Sequence, residues 1–200
     1  MDWPAVKASM PLGQMPLLEI EEAGGDKLAV PQSLAILRYL GKLGGLYPSD
    51  PFEAIQVDTM IDTITEMSLP IEMTVQGSVK WMIGDEPWTK EQVLEIRKRI
   101  STDAKNGLPF KLSFFEKKLD SNGTGWLVGD KVTIADLLLH RIATWLSSGM
   151  LDGFSTDVLD GYSLVKAHGD KIEAIPEVIS WRKSHPTPYT DFDFVPPESS

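Results

Sequence analysis

The chain has 200 residues, and its 19 Lys and Arg against 29 Asp and Glu leave a net charge of −10. The length suits one sizeable domain or two small ones, and an apolar fraction of 42% with 24% charged residues is not a disordered composition. Such acidity gives no long-range pull toward nucleic acid or an anionic membrane, and no basic run longer than Arg97-Lys98-Arg99 counters it.

There is no cysteine, which excludes disulfides, thiolate metal sites and cysteine nucleophiles. The absence fits a reducing, cytoplasmic setting. The opening MDWPAVKASM holds no apolar segment or basic leader, so it does not read as a signal peptide. No apolar run reaches the about 18 residues of a spanning helix. No metal-ligand spacing, phosphate loop, Gly-rich dinucleotide motif or Gly-x-Ser-x-Gly elbow is present.

In chain order, Leu17-Leu18-Glu19-Ile20 and Leu28-Ala29-Val30 predict two strands joined by a turn over Glu21–Asp26. Gln32 to Leu43 predicts a helix, with Leu34, Leu37, Tyr39 and Leu40 among its apolar positions and Tyr39 facing the core. Tyr47-Pro48-Ser49-Asp50-Pro51 reads as a rigid linker. The division is therefore 1–48, a small α/β piece, and 49–200, an all-helical part with an acidic, Pro-rich tail.

The first bundle helix runs from about Phe52 to Thr74 on Val57, Ile61, Ile64, Met67 and Ile71, with a bend or break expected at Pro70. A second begins after Thr89, where Gln92 completes a capping box, and bends near Gly107-Pro109. Thr133 and Asp136 form the clearest capping box, and Val132 and Leu137 can staple it. The helix they open is apolar over much of its surface, which predicts a central place. Two more helices follow, over about Tyr162–Ala174 and from Pro176 to near Lys183.

Several residues have chemistry to offer. Asp58, Asp62 and Glu66 stack at i, i+4, i+8; they form either a solvated face or carboxylates awaiting a cation. Gln32-Ser33 stands at a helix start, where free amides and a hydroxyl can hold a carboxylate, or where a simple cap forms. Met15-Pro16 precedes the first strand. Trp3 and Lys7 could grip a second carboxylate or merely pack and solvate. His140 reads as structural or surface-placed, and His168 and His185 have no acid partner within reach of sequence reasoning.

Taken together, Trp3-Pro4-Ala5-Val6-Lys7, Pro11–Glu19 with Gly13-Gln14-Met15-Pro16, and Gln32-Ser33-Leu34-Ala35-Ile36-Leu37-Arg38-Tyr39-Leu40 resemble the glutathione-binding half of cytosolic glutathione transferases. The likeness is to the sigma-class and the related mu, pi and alpha group. Val57–Thr63, Gly129–Asp136 and Ala174-Ile175-Pro176-Glu177-Val178 resemble their helical half, and the motifs span residues 3–185 in family order.

The resemblance implies a thioredoxin-like α/β domain, incomplete here, followed by an all-α bundle. It implies that Met15, before a cis Pro16, pairs its backbone with the cysteinyl part of glutathione. Gln32 and Ser33 would hold the γ-glutamyl carboxylate, with Gln14 assisting, and Trp3 and Lys7 would reach the glycine carboxylate. Glu66, with Asp62 nearby, would approach the γ-glutamyl amine from the other subunit of a homodimer. Glutathione would serve as co-substrate with a small apolar electrophile, by conjugation or, as in some sigma-like proteins, prostaglandin isomerisation. The family's opening strand, catalytic Tyr or Ser loop and first helix have no counterpart in these residues. The resemblance thus names no catalytic hydroxyl here, and a binding or structural protein is the alternative to an enzyme.

Overall fold

A computed structural model describes residues 3–21, 24–75 and 88–185. A short helix α1 (Trp3–Lys7) leads into β1 (Leu17–Glu21) and β2 (Lys27–Pro31), an antiparallel pair in the register Leu17↔Pro31 to Glu21↔Lys27. The pair forms as its apolar strings predict. It gains little cover among the described residues, with Leu28 56% exposed.

Helix α2 (Ser33–Leu43) follows directly. Its Leu34 and Leu37 pack against the helical core, and the stripe continues through buried Gly41. Tyr39 and Leu40 do not join it; both are exposed, which corrects the core-facing expectation for Tyr39. The stripe steps 34, 37, 41, so on a helix of 3.6 residues per turn Tyr39 falls on the far side.

Gly41 makes the closest approach between α2 and the bundle. A Cβ there would lie 2.5 Å from Ile134 Cγ2, a branched methyl on a side chain only 1% exposed. The Leu46 amide donates to the Gly41 carbonyl, and the Ile134 amide donates to the Leu46 carbonyl, so the backbone around this contact is tied down. Gly41→Ala should gain about 1 kcal/mol of helix propensity, yet overpacking should leave a net loss of about 1–2 kcal/mol. A lower urea midpoint at unchanged slope would show this; a raised midpoint would mean that the contact yields.

Helix α3 (Pro51–Glu72) starts at Asp50, whose Oδ1 accepts from the Phe52 and Glu53 amides. It buries Val57, Met60, Ile61, Ile64, Met67 and Ile71. It runs through Pro70, so that of the bend or break expected there, the break does not occur. Pro70 lies in the last turn and on the exposed face, so the donor it lacks leaves only the Glu66 carbonyl for water to satisfy. The turn closes on Met73 N–H to Leu69 O and Thr74 N–H to Ile71 O.

Helix α4 (Lys90–Thr102) begins with the predicted box: the Thr89 amide donates to Gln92 Oε1, and the Gln92 amide to Thr89 Oγ1. The bend expected after it is a full break before α5 (Leu108–Asn122). Asp103 Oδ1 takes the Lys105 and Asn106 amides, and a Cβ at Gly107 would meet the Ile100 carbonyl at 2.4 Å. Only glycine fits where the chain turns back so tightly.

Helix α6 (Ile134–Ser147) buries Ile134, Ala135, Asp136, Leu139, Ile142, Ala143 and Leu146 and packs on both α3 and α7 (Ser163–Glu173), as its apolar surface predicted. Helix α8 (Pro176–Ser184) lies against α7. The predicted acidic tail from Pro186 lies outside the described residues. No helix among the described residues is long and apolar enough to cross a membrane.

Candidate functional site

The strand register explains how distant residues meet. Leu17 pairs with Pro31 at the end of the ladder, so the residues before Leu17 lie opposite those after Pro31. Gln14, Met15 and Pro16 thereby come together with Gln32 and Ser33 around a cavity of about 140 Å³, also lined by Leu12 and Pro31. The Met15–Pro16 peptide bond is cis, as the resemblance implied. Met15 stands outside the ladder and is 58% exposed.

Gln32 occupies the N-cap of α2 with φ of 79°, in the region that side chains rarely adopt. No side chain caps this helix, and its first turn holds no acidic residue. The uncapped amides carry the positive end of the helix dipole, and the Ser33 hydroxyl stands beside them. Such an end can receive a carboxylate.

The remaining expected site residues lie apart from the cavity lining. The Lys7 stem runs beside Gly13, where a Cβ would lie 3.5 Å from Lys7 Cε, next to Gln14. Trp3 opens α1, and its side chain lies outside the described residues. Asp62 and Glu66 stand exposed on α3.

The stacked acids of α3 are not a bare solvated face, since each meets a cation of the same chain. Arg38 Nε donates to Asp58 Oδ1 at 2.7 Å, and an Arg38 terminal nitrogen donates to Asp62 Oδ1 at 3.2 Å. Tyr47 donates its hydroxyl to Asp58 Oδ2 at 2.8 Å. Lys111 of α5 pairs with Glu66 Oε2. Burial pushes the Asp58 carboxyl up, but the bonds from Arg38 and Tyr47 and the charges of Arg38 and Lys42 outweigh it and hold the group below the usual carboxylate range. Burial and the bond to Asp58 push the Tyr47 phenol up. Tyr47 is thus committed to Asp58, linking α2 and α3. Sequence reading named the three acids but not Arg38, Tyr47 or Lys111 as their partners.

Two histidines also find acids. His168, 2% exposed, faces Asp136 Oδ1 through Nε2 at 3.0 Å, and His140 faces Glu173 through Nε2 at 2.5 Å. Asp136 further accepts the Thr133 amide and hydroxyl and the Leu127 amide. The Thr133–Asp136 box is therefore one corner of a buried polar junction. Among the described residues no group of three or more His, Asp or Glu could hold a metal ion.

The family model for the glutathione S-transferase C-terminal domain matches residues 80–185. Glutathione S-transferase 1 of Ascaris suum is 33% identical over 190 residues, covering 94% of this chain and 82% of that protein. The structure of prostaglandin synthase D of Nilaparvata lugens superposes with a TM-score of 0.74 at 28% identity, over 93% of this chain and 81% of that one. The structure of a monomeric glutathione S-transferase from Necator americanus, Na-GST-3, gives 0.68 at 28% identity, over 93% and 81%. The α/β piece with its helical bundle is thus the architecture of a known set of proteins, and this chain belongs to the glutathione S-transferase family.

Proposed function

We propose that the chain is a glutathione transferase whose first 48 residues contribute the glutathione site and whose remaining residues form the helical domain. The reading is carried by one observation: Gln14, Met15, Pro16, Gln32 and Ser33 converge on one cavity at the uncapped start of α2. Ser33 and the free amides suit the γ-glutamyl carboxylate, with the Gln32 and Gln14 amides as further partners. The Met15 backbone would pair with the cysteinyl unit, and Lys7 with Trp3 would take the glycine carboxylate. Asp62 or Glu66 of a second copy would face the γ-glutamyl ammonium in a homodimer. The glutathione thiol gives its proton to water. The thiolate attacks a small apolar electrophile, forming a carbon–sulfur bond as the electrophile's leaving group departs with the bonding pair. At an activated double bond the π bond opens instead, and the carbanion takes a proton from water. The cysteine-free composition suits a cytoplasmic setting.

Titration of glutathione into the full chain by calorimetry tests the reading. Saturable binding is expected, and Ser33→Ala should weaken it about tenfold, the value of a hydrogen bond to a charged group. Equal affinity for the variant and the parent would remove Ser33 from the site and sink the assignment. A glutathione-binding protein without transferase chemistry is the second reading. It draws on the fact that Ser33 is the only hydroxyl among the described residues lining the cavity. Saturable binding without product from a chromogenic electrophile would favour it.

A further inference from the structure

The sequence holds two asparagines, Asn106 and Asn122, and glycine follows each of them. An asparagine carboxamide lies within reach of the next residue's backbone nitrogen, and a glycine there has no side chain to obstruct the approach. Both pairs thus set an electrophilic carbon beside a nucleophile. The structure treats them differently.

Asn122 closes α5, and its Nδ2 donates to Thr124 Oγ1 at 2.7 Å, to the Trp126 carbonyl at 2.8 Å and to the Gly129 carbonyl at 2.7 Å. The Gly123 amide is engaged too, donating to the Leu119 carbonyl at 3.0 Å. Trp126 is buried, and Lys171 of α7 lies over its ring while donating to the Thr124 carbonyl. Freeing the Asn122 carboxamide therefore means unlocking the loop after α5 from α7. Asn106, by contrast, is exposed in the turn between α4 and α5. Among the described residues, Asp103 holds both it and its glycine. Asp103 Oδ1 accepts the Asn106 amide at 3.2 Å, the same carboxylate bonds the Asn106 side chain, and the Asp103 carbonyl accepts the Gly107 amide at 2.9 Å. These contacts lie inside one exposed turn, so a local opening that leaves the helices folded releases both groups.

We propose that Asn106 is a site of spontaneous deamidation, with the Gly107 backbone nitrogen as nucleophile and water as co-reactant. That nitrogen gives its proton to solvent and bonds to Asn106 Cγ. The Cγ–Nδ2 bond then breaks, and Nδ2 leaves as ammonia after taking a proton from water. The cyclic imide so formed takes up one water. Opening at one carbonyl gives aspartate; opening at the other gives isoaspartate, whose backbone runs through the side-chain carbon. One water is consumed and one ammonia released, with no change of oxidation state.

Either product loosens the turn. The bonds from the Lys105 and Asn106 amides hold the Asp103 carboxyl below the usual carboxylate range, and a carboxylate at 106 would set a second negative charge beside it. Isoaspartate adds a backbone carbon just ahead of Gly107, where a Cβ would already meet the Ile100 carbonyl at 2.4 Å. The disturbance reaches buried Leu108 at the start of α5.

Incubating the folded full chain in mildly alkaline, heavy-oxygen water and mapping its peptides by mass tests the proposal, because converted sites take up the label. In the folded chain Asn106 should convert at least about tenfold faster than Asn122. In urea the two rates should converge. Part of the product should be isoaspartate, detected with isoaspartyl methyltransferase. The converted protein should melt about 2–4 °C below fresh protein. Asn106→Gln, whose longer side chain does not close the same ring readily, should age without that shift. Equal rates at the two asparagines in the folded chain overturn the inference. So does a folded chain that spares Asn106 while the urea-unfolded chain converts it. Aspartate without isoaspartate overturns it as well, since water would then have hydrolysed the amide directly and Gly107 would play no part.

Discussion

Replacing Asp136 by alanine should cost the folded protein about 3–5 kcal/mol, the loss expected when one partner of a buried charged cluster is removed. The residue is 0% exposed, and both carboxylate oxygens are in use. Oδ1 accepts from the Leu127 amide at 2.8 Å and faces His168 Nε2 at 3.0 Å; Oδ2 accepts from the Thr133 amide at 2.7 Å and the Thr133 hydroxyl at 2.8 Å. Alanine would strand two backbone donors away from water and remove a negative charge from the start of α6, where the helix dipole favours one. Three segments would loosen together: the start of α6, the buried run Trp126-Leu127-Val128 and helix α7.

Urea unfolding checks this result, and the midpoint temperature should fall by about 2–4 °C for each kcal/mol in a chain of this size. His168→Ala should cost less. Its Nδ1 is buried without a hydrogen-bond partner, so Nε2 supplies its polar contribution, with an edge-on contact to Trp126 at 6.0 Å between ring centres. The double variant then measures the coupling within the pair. A loss below about 1 kcal/mol for Asp136→Ala would mean that the stranded donors find new partners.

Arg97→Met should cost about 2–4 kcal/mol, because it removes three charge-assisted bonds, two of them to buried Thr74 acceptors. The Arg97 guanidinium donates to Thr74 Oγ1 at 2.8 Å, to the Asp152 carbonyl at 2.9 Å and to the Thr74 carbonyl at 3.3 Å. These contacts join the end of α3, the middle of α4 and the loop after α6. Burial lowers the pKa of Arg97, opposed by the charge of Asp152. Methionine would fill the space of the aliphatic stem, so the loss isolates the polar fork. Lysine can occupy only part of a three-acceptor fork, so Arg97→Lys should fall between Met and the parent. Denaturant midpoints for the three proteins check the order, and equal stability of Met and the parent would show that the fork is replaceable by packing.

The elements that sequence reading anticipated are those whose causes are local. Thr89 with Gln92 and Thr133 with Asp136 are three residues apart, and a capping box needs nothing more distant than that. The apolar steps of α3 name the residues that its core face buries. The convergence of Gln14, Met15, Pro16, Gln32 and Ser33 was legible only through resemblance. Composition and spacing alone favoured a simple cap over a binding site at Gln32-Ser33, and the register of β1 and β2 brings the two ends together.

The outcomes at Tyr39 and Pro70 have equally particular causes. Tyr39 is apolar enough to suit a core stripe, but α2 turns Leu34, Leu37 and Gly41 to the core, and Tyr39 falls on the opposite, exposed side. At Pro70, where a bend or a break was open, the break is avoided because in a last turn facing solvent the missing bond costs little.

The sequence by itself determined the helices, their caps, the two strands, the acidic charge and the exclusion of thiol chemistry, because propensity, periodicity and composition act within a few residues or over the whole chain. The tertiary structure alone decided which polar groups meet. His168 finds Asp136 across 32 residues, Glu66 finds Lys111 across 45 and the Arg97 guanidinium finds the Asp152 backbone carbonyl across 55. Such pairs depend on how helices cross and on which stem is packed, and no spacing along the chain carries that information.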